Sequence, residues 1–162
     1  RSGCKGNKGA IMGTFPVELA AYAAGFFDGE GCVTITKASR KTKGGMWGCR
    51  TIMCNTNRDV LDVLQGKFGG NVHKKKKIPG EKQAYNFTLA AGDAEAFLQA
   101  IAPYVLVKRG DVEVGLSFIS TLKDRSKNEY LNSDERELRE QLLIKCRVLH
   151  VRGEIAKEKV NA

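Results

Sequence analysis

No apolar run in this sequence approaches the roughly 20 residues that a bilayer-spanning helix requires. A membrane location is therefore not expected. The glycine- and lysine-rich start also lacks the apolar stretch of a secretory signal, so the expected setting is intracellular, in the cytoplasm or an organelle stroma or matrix. The five cysteines, Cys4, Cys32, Cys49, Cys54 and Cys146, are odd in number and have no paired short spacings, which argues against a disulfide framework. Cys49 and Cys54 lie an odd number of steps apart on one expected strand and so face opposite ways. They cannot grip zinc together without a bulge, and only His73 and His150 are available to supplement them. The thiols read as small apolar residues.

The chain has 162 residues, 42% of them hydrophobic, enough for one domain with a sizeable core over 14–162. Residues 1–13, with four glycines and three basic residues, read as a flexible arm. Lysine and arginine number 27 against 18 acidic residues, giving a formal net charge of +9. Such an excess on a mixed globular composition points to a polyanionic partner.

The most informative segment is Ala20-Ala21-Tyr22-Ala23-Ala24-Gly25-Phe26-Phe27-Asp28-Gly29-Glu30-Gly31. Ala20, Ala23, Ala24 and Gly25 leave one helical face nearly bare, which invites close approach by a second helix. Asp28 and Glu30 fall where Gly29 and Gly31 should end the helix, beside carbonyls that already carry partial negative charge. Each carboxylate is disfavoured there by about 0.3–1 kcal/mol, so something positive should compensate. Oxygen-only donors at such an end suit a hard divalent cation such as Mg²⁺.

This segment, above all Ala24-Gly25-Phe26-Phe27-Asp28-Gly29-Glu30-Gly31, resembles the signature of the LAGLIDADG homing endonucleases. The resemblance implies that Glu30, with Gly29, occupies the metal-binding place, for Mg²⁺ or another divalent cation such as Mn²⁺. It also implies that Ala24, Gly25, Asp28 and Gly29 meet a partner helix. No second copy of the pattern follows, so the resemblance is to the single-motif, homodimeric type.

Downstream, alternating Val33 and Ile35 against Thr34, Thr36 and Arg40 indicate a strand, and 46–55 a returning one. A helix over 57–68 buries Val60, Leu61, Leu64 and Phe68 and stops at Gly69-Gly70. A hairpin pairs 71–78 with 83–90 through Pro79-Gly80-Glu81-Lys82. Three helices follow: one capped by Asp93, one over 109–124, and a charged one over 134–159 with a seam of Leu138, Leu142, Lys145 and Leu149. The order αββαββα plus further helices gives an α+β fold, a four-stranded antiparallel sheet with helices on one face. That is also the order of the LAGLIDADG fold.

Parity places Thr34, Thr36, Arg40, Arg50, Asn71, His73, Lys75, Lys77, Lys82, Asn86 and Thr88 on the open face. Cations there suit phosphates and amides and hydroxyls suit base edges, so the expected partner is the major groove of double-stranded DNA. An RNA-stacking sheet would expose aromatics, whereas Tyr85 and Phe87 take the core parity.

Ala102-Pro103-Tyr104-Val105-Leu106-Val107-Lys108 is similar to the family segment whose lysine sits beside the scissile phosphate, which assigns that place to Lys108. Asn55 resembles the family's amide near the nucleophilic water, with Thr56 and Asn57 as alternatives. Arg58 either joins that water network or a phosphate, or covers its helix. Position 30 departs from the commoner Asp by one methylene. The implied activity is site-specific double-strand cleavage at a long pseudo-palindromic site, as in intron homing. The alternative is a non-cleaving RNA maturase or DNA-binding regulator on the same scaffold.

Overall fold

The computed structural model describes residues 16–38, 46–123 and 132–151. The expected arm over 1–13, Arg40 and positions 152–159 of the expected last helix lie outside them; within them that helix ends at Leu149. Element order is α1 (Val17–Glu30), β1 (Gly31–Ala38), β2 (Met46–Asn55), α2 (Arg58–Phe68), β3 (Asn71–Lys74), β4 (Tyr85–Ala90), α3 (Ala91–Ile101), α4 (Arg109–Lys123) and α5 (Ser133–Leu149). The strands form one antiparallel sheet in the order β1-β2-β4-β3. The fold is the α+β arrangement expected from the sequence.

Strand periodicity decides which residues enter the core. Val33, Ile35, Cys49, Thr51, Met53, Phe87 and Leu89 are buried beneath the helices, while their alternate neighbours face away. Phe27 of α1, Leu61, Leu64 and Phe68 of α2, Phe97, Leu98 and Ile101 of α3, and Phe118 of α4 complete one continuous core. Burial, with Cys146 close by, pushes the Cys49 thiol up to about 12. Helix α5 flanks the outer edge of β1: Cys146 Sγ donates to the Val33 carbonyl at 3.3 Å, and Lys37 pairs with Glu140. An edge that would otherwise offer unpaired main-chain groups is thereby covered.

Several local expectations need correction. β3 stops at Lys74 and β4 starts at Tyr85, because four adjacent lysines bring no apolar residue to bury and repel one another. Beyond them only Lys75 N–H to the Ala84 carbonyl (2.9 Å) and the Gln83 side chain on the Lys75 carbonyl (2.8 Å) extend the pairing. The turn itself is as expected, with Glu81 N–H on the Ile78 carbonyl and Gly80 at φ +85° behind Pro79. Asp93 does not cap α3, which begins at Ala91; its carboxylate accepts the Gly70 N–H at 3.1 Å. Helix α5 is capped by Asn132 with Glu135 in a reciprocal box, and its buried side is Arg139, Leu143 and Cys146. Of the seam expected through Leu138, Leu142, Lys145 and Leu149, Leu142 packs against the core and Leu149 lies beside Gly110 of α4, whereas Leu138 and Lys145 are exposed. Arg139 is buried because its guanidinium donates to the Thr121 hydroxyl and carbonyl near the end of α4, a demand invisible to an apolar pattern.

Candidate active site and sheet surface

Helix α1 runs through Gly29 and ends at Glu30; Gly31 is already extended at φ −85° and sends its N–H to the Phe27 carbonyl. Gly29 therefore does not break the helix. Asp28 and Glu30, two residues apart, project about 200° from each other around the axis. Glu30 is exposed and has no hydrogen bond or ion pair among the described residues. Asp28 turns the other way, and its carboxylate accepts three consecutive backbone N–H groups, from Leu106 (2.8 Å), Val107 (3.2 Å) and Lys108 (2.9 Å), just ahead of α4. Burial alone would raise its pKa, but those three bonds and the nearby Lys108 charge prevail and hold the carboxyl below the ordinary carboxylate value. Asp28 is thus committed within its own chain.

Lys108 completes the exchange. Its ammonium donates to the carbonyls of Gly31 (2.6 Å) and Phe27 (3.3 Å) at the C-terminal end of α1, and lies 5.8 Å from the Phe27 ring centroid. The positive charge demanded by the helix end is supplied in part by this residue. Glu30 and Lys108 are brought to one helix end from positions 78 residues apart, since Gly31 follows Glu30 directly. Among the described residues no cluster of three or more His, Cys, Asp or Glu side chains could hold a metal ion. With Asp28 engaged, one chain offers the Glu30 carboxylate and the neighbouring Gly29 carbonyl, an all-oxygen donor set suited to a hard cation but short of a full shell.

Asn55 ends β2, two residues beyond the Met53 that pairs with Gly31, so it sits at the same sheet end as Glu30. It has core-side parity and its Oδ1 accepts the Asn57 N–H at 2.8 Å, while Asn57 caps α2 through the Asp59 N–H. Both side-chain oxygens therefore serve the turn, and Thr56 is exposed. Arg58 pairs with Asp62 at 3.1 Å and lies over the Tyr85 ring, which is the helix-covering alternative.

The outward sheet face is laid out in rows by register: Thr36–Gly48, Thr34–Arg50–Ala90, Cys32–Ile52–Thr88–Asn71 and Cys54–Asn86–His73. Arg50, His73, Asn71 and Thr36 are exposed, and Thr34, Asn86 and Thr88 partly so. Lys75, Lys77 and Lys82 are exposed too, but they belong to the loop between β3 and β4, where strand parity does not assign a face. The centre of this face is apolar, formed by Cys32, Ile52 and Cys54, a pattern legible from the same alternation.

The outer side of α1 also needs correction. Ala20, Ala23 and Ala24 are packed into the protomer's own core, Ala24 at 0% exposure. The open stripe is Ala21, Gly25 and Gly29, and a Cβ built at either glycine meets nothing within 4 Å among the described residues. Around it stand the exposed apolar side chains of Val17, Tyr22, Leu106 and Val107. The intrahelical spacing was readable from sequence; which of two small-residue stripes faced inward was not. A further cluster absent from the sequence reading joins His150 Nε2 to Asp111 Oδ1 at 2.7 Å, with Cys32 Sγ at 3.6 Å, and ties the end of α5 to α4 and β1. No helix among the described residues is long and apolar enough to cross a membrane.

A sequence profile described as LAGLIDADG endonuclease matches residues 23–109, more than half of the chain. Among solved structures, the homing endonuclease I-CvuI in complex with its target DNA in the presence of calcium is similar at 21% identity and a TM-score of 0.67, over 90% of this chain and 91% of that one. The archaeal intron-encoded homing endonuclease I-Vdi141I, complexed with DNA, is similar at 19% identity and a TM-score of 0.69, over 85% and 87%. The homing endonuclease I-TnaI follows at 18% and 0.65, over 87% and 97%. At these identities the likeness is one of fold. No curated protein sequence matches significantly.

Proposed function

The chain belongs to the LAGLIDADG endonuclease family, and on that premise we propose that it is a site-specific double-strand DNA endonuclease acting as a homodimer with a divalent cation. The observation that carries the proposal is the pairing of an exposed Glu30 carboxylate with a glycine stripe, Gly25 and Gly29, that nothing among the described residues fills. Two copies meeting on that stripe bring two Glu30 carboxylates together at the axis and supply the oxygen donors that one chain lacks. The exposed Val17, Tyr22, Leu106 and Val107 side chains gain burial in the same contact. A two-fold protein reads a palindromic or pseudo-palindromic site.

The sheet face binds the duplex. Arg50 and the loop lysines Lys75, Lys77 and Lys82 neutralise phosphates, a role the sequence also suggests for Arg40. Thr34, Thr36, Asn71, His73, Asn86 and Thr88 present hydroxyl, amide and imidazole groups to base edges, and Ile52 offers an apolar contact for a thymine methyl.

Glu30, with the Gly29 carbonyl, would hold Mg²⁺ or Mn²⁺, which when bound activates water and neutralises charge on the phosphoryl group. Lys108, fixed at the same helix end, adds positive charge beside the phosphate and orients water there. Asn55 keeps its amide N–H₂ group for a water at this sheet end while its oxygen closes the turn. No side chain needs to form a covalent bond with DNA. The chain acts wherever the genome carrying its site resides, in the cytoplasm or in an organelle.

The test is incubation with a randomised duplex library and Mg²⁺, followed by sequencing of cut ends. Recovery of one pseudo-palindromic site by the parent, and none by Glu30→Gln protein that still binds that site in Ca²⁺, is the expected result. A parent that binds a site tightly and never cuts it would refute the enzyme reading.

A further inference from the structure

We propose that Asp28 is a positioning residue that sets Lys108 against the helix end bearing Glu30; the inference rests on the reading of Glu30 and Lys108 as parts of a cleavage site. Lys108 is held to α1 at two points, by its main-chain N–H on Asp28 Oδ1 at 2.9 Å and by its ammonium on the carbonyls of Phe27 and Gly31. Those two carbonyls bracket Asp28 and Glu30 in the chain, so the tie fixes Lys108 relative to both.

Apolar packing does not do this work for the loop. Val105 is fully buried, but the next two residues, Leu106 and Val107, are 74% and 78% exposed. What holds residues 106–108 on α1 is the Asp28 carboxylate, which accepts all three of their N–H groups. These lie just before the first turn of α4, where main-chain N–H groups lack intrahelical acceptors and favour negative charge. The exchange is reciprocal: α1 gives a carboxylate to the start of α4 and receives an ammonium at its own C-terminal end. Without the carboxylate the Lys108 backbone loses its anchor, and the ammonium is left tied only by its flexible side chain.

The experiment uses full-length protein with Asp28→Asn, which removes the charge and turns one acceptor into a donor, and Asp28→Glu, which keeps the charge but moves it by one methylene. Single-turnover cleavage at saturating DNA should slow roughly ten- to hundred-fold, the loss expected from a small misplacement at a reacting centre, with DNA affinity in Ca²⁺ unchanged. In a Lys108→Met background neither Asp28 change should slow cleavage further, because the residue through which Asp28 acts is gone. Independently of cleavage, protein labelled with ¹⁵N at lysine Nζ should give a slowly exchanging Lys108 ammonium resonance that is absent from Lys108→Met and weakened in both Asp28 variants. Equal slowing by Asp28→Glu with and without Lys108, or a Lys108 resonance indifferent to both Asp28 changes, would overturn the proposal. A parent that cuts nothing defeats the endonuclease reading, and the resonance then decides the role of Asp28 alone.

Discussion

Gly31 and Phe27 are packed so closely that no methyl group fits between them: a Cβ at Gly31 would lie 2.1 Å from the Phe27 ring and 2.6 Å from its carbonyl oxygen. Phe27 is fully buried and meets Phe97 edge-on at 6.1 Å, so the ring cannot step aside. Gly31 is thus required by close approach and not by its backbone angles, since its φ of −85° is open to any residue. Gly31→Ala is expected to destabilise the fold by about 1–3 kcal/mol, the usual cost of overpacking a core. Chemical denaturation should show this as a lower midpoint at unchanged slope.

The opposite holds on the outer side of α1. Gly25 has open space where a Cβ would stand, so Gly25→Leu should leave the protomer as stable as the parent or more so, because Leu favours a helix by about 0.5–1 kcal/mol over Gly. The same change should abolish dimerisation by keeping two helices apart. Sedimentation velocity and thermal unfolding on one preparation separate the two effects; a parent that sediments as a monomer with and without DNA would remove the dimer.

Salt dependence separates the loop from the sheet. Each lost phosphate contact should lower the slope of log affinity against log salt by about 0.9. Lys75→Ala, Lys77→Ala and Lys82→Ala should flatten the slope without changing which sequences are preferred, whereas Arg50→Ala, at the centre of a row on the sheet, should alter preference as well. Unchanged slopes in all four variants would take this surface out of the interface.

Acid should weaken the join between α1 and α4. The Asp28 carboxyl titrates lower in the folded protein than in the unfolded chain, so it contributes stability that is fully present above its unfolded value near ~4 and is lost as pH falls through the lower, folded value. Asp28→Asn removes that contribution at neutral pH and should therefore flatten the acid limb of the stability curve. Urea titrations at several pH values below neutrality measure the difference between the two limbs.

Lys108 and Glu30 should differ in kind. Glu30→Gln removes the charge that would hold the cation and should end cleavage, with binding in Ca²⁺ retained or tightened as repulsion of phosphate falls. Lys108→Met should slow cleavage without ending it. Single-turnover rates on one duplex rank the two.

The sequence by itself determined that there are four strands and which of their faces is buried, though not where β3 and β4 give way to the lysine-rich loop, because alternation in Val33, Ile35, Cys49, Met53, Phe87 and Leu89 is a local, two-residue property. It determined the small-residue helix, whose 3.6-residue spacing is equally local, and with it the resemblance to the family. What only the tertiary structure decided were contacts between segments distant in the chain. Asp28 and Glu30 are indistinguishable as neighbouring acids in a linear reading. One is bound to the start of a helix some 78–80 residues away and the other is left exposed. Likewise, Ala24 and Gly25 are both small, and only the position of the core turns the first inward and leaves the second open. Long-range packing, set by the burial of Phe27 beneath the sheet and helices, is what assigned each of these residues its side.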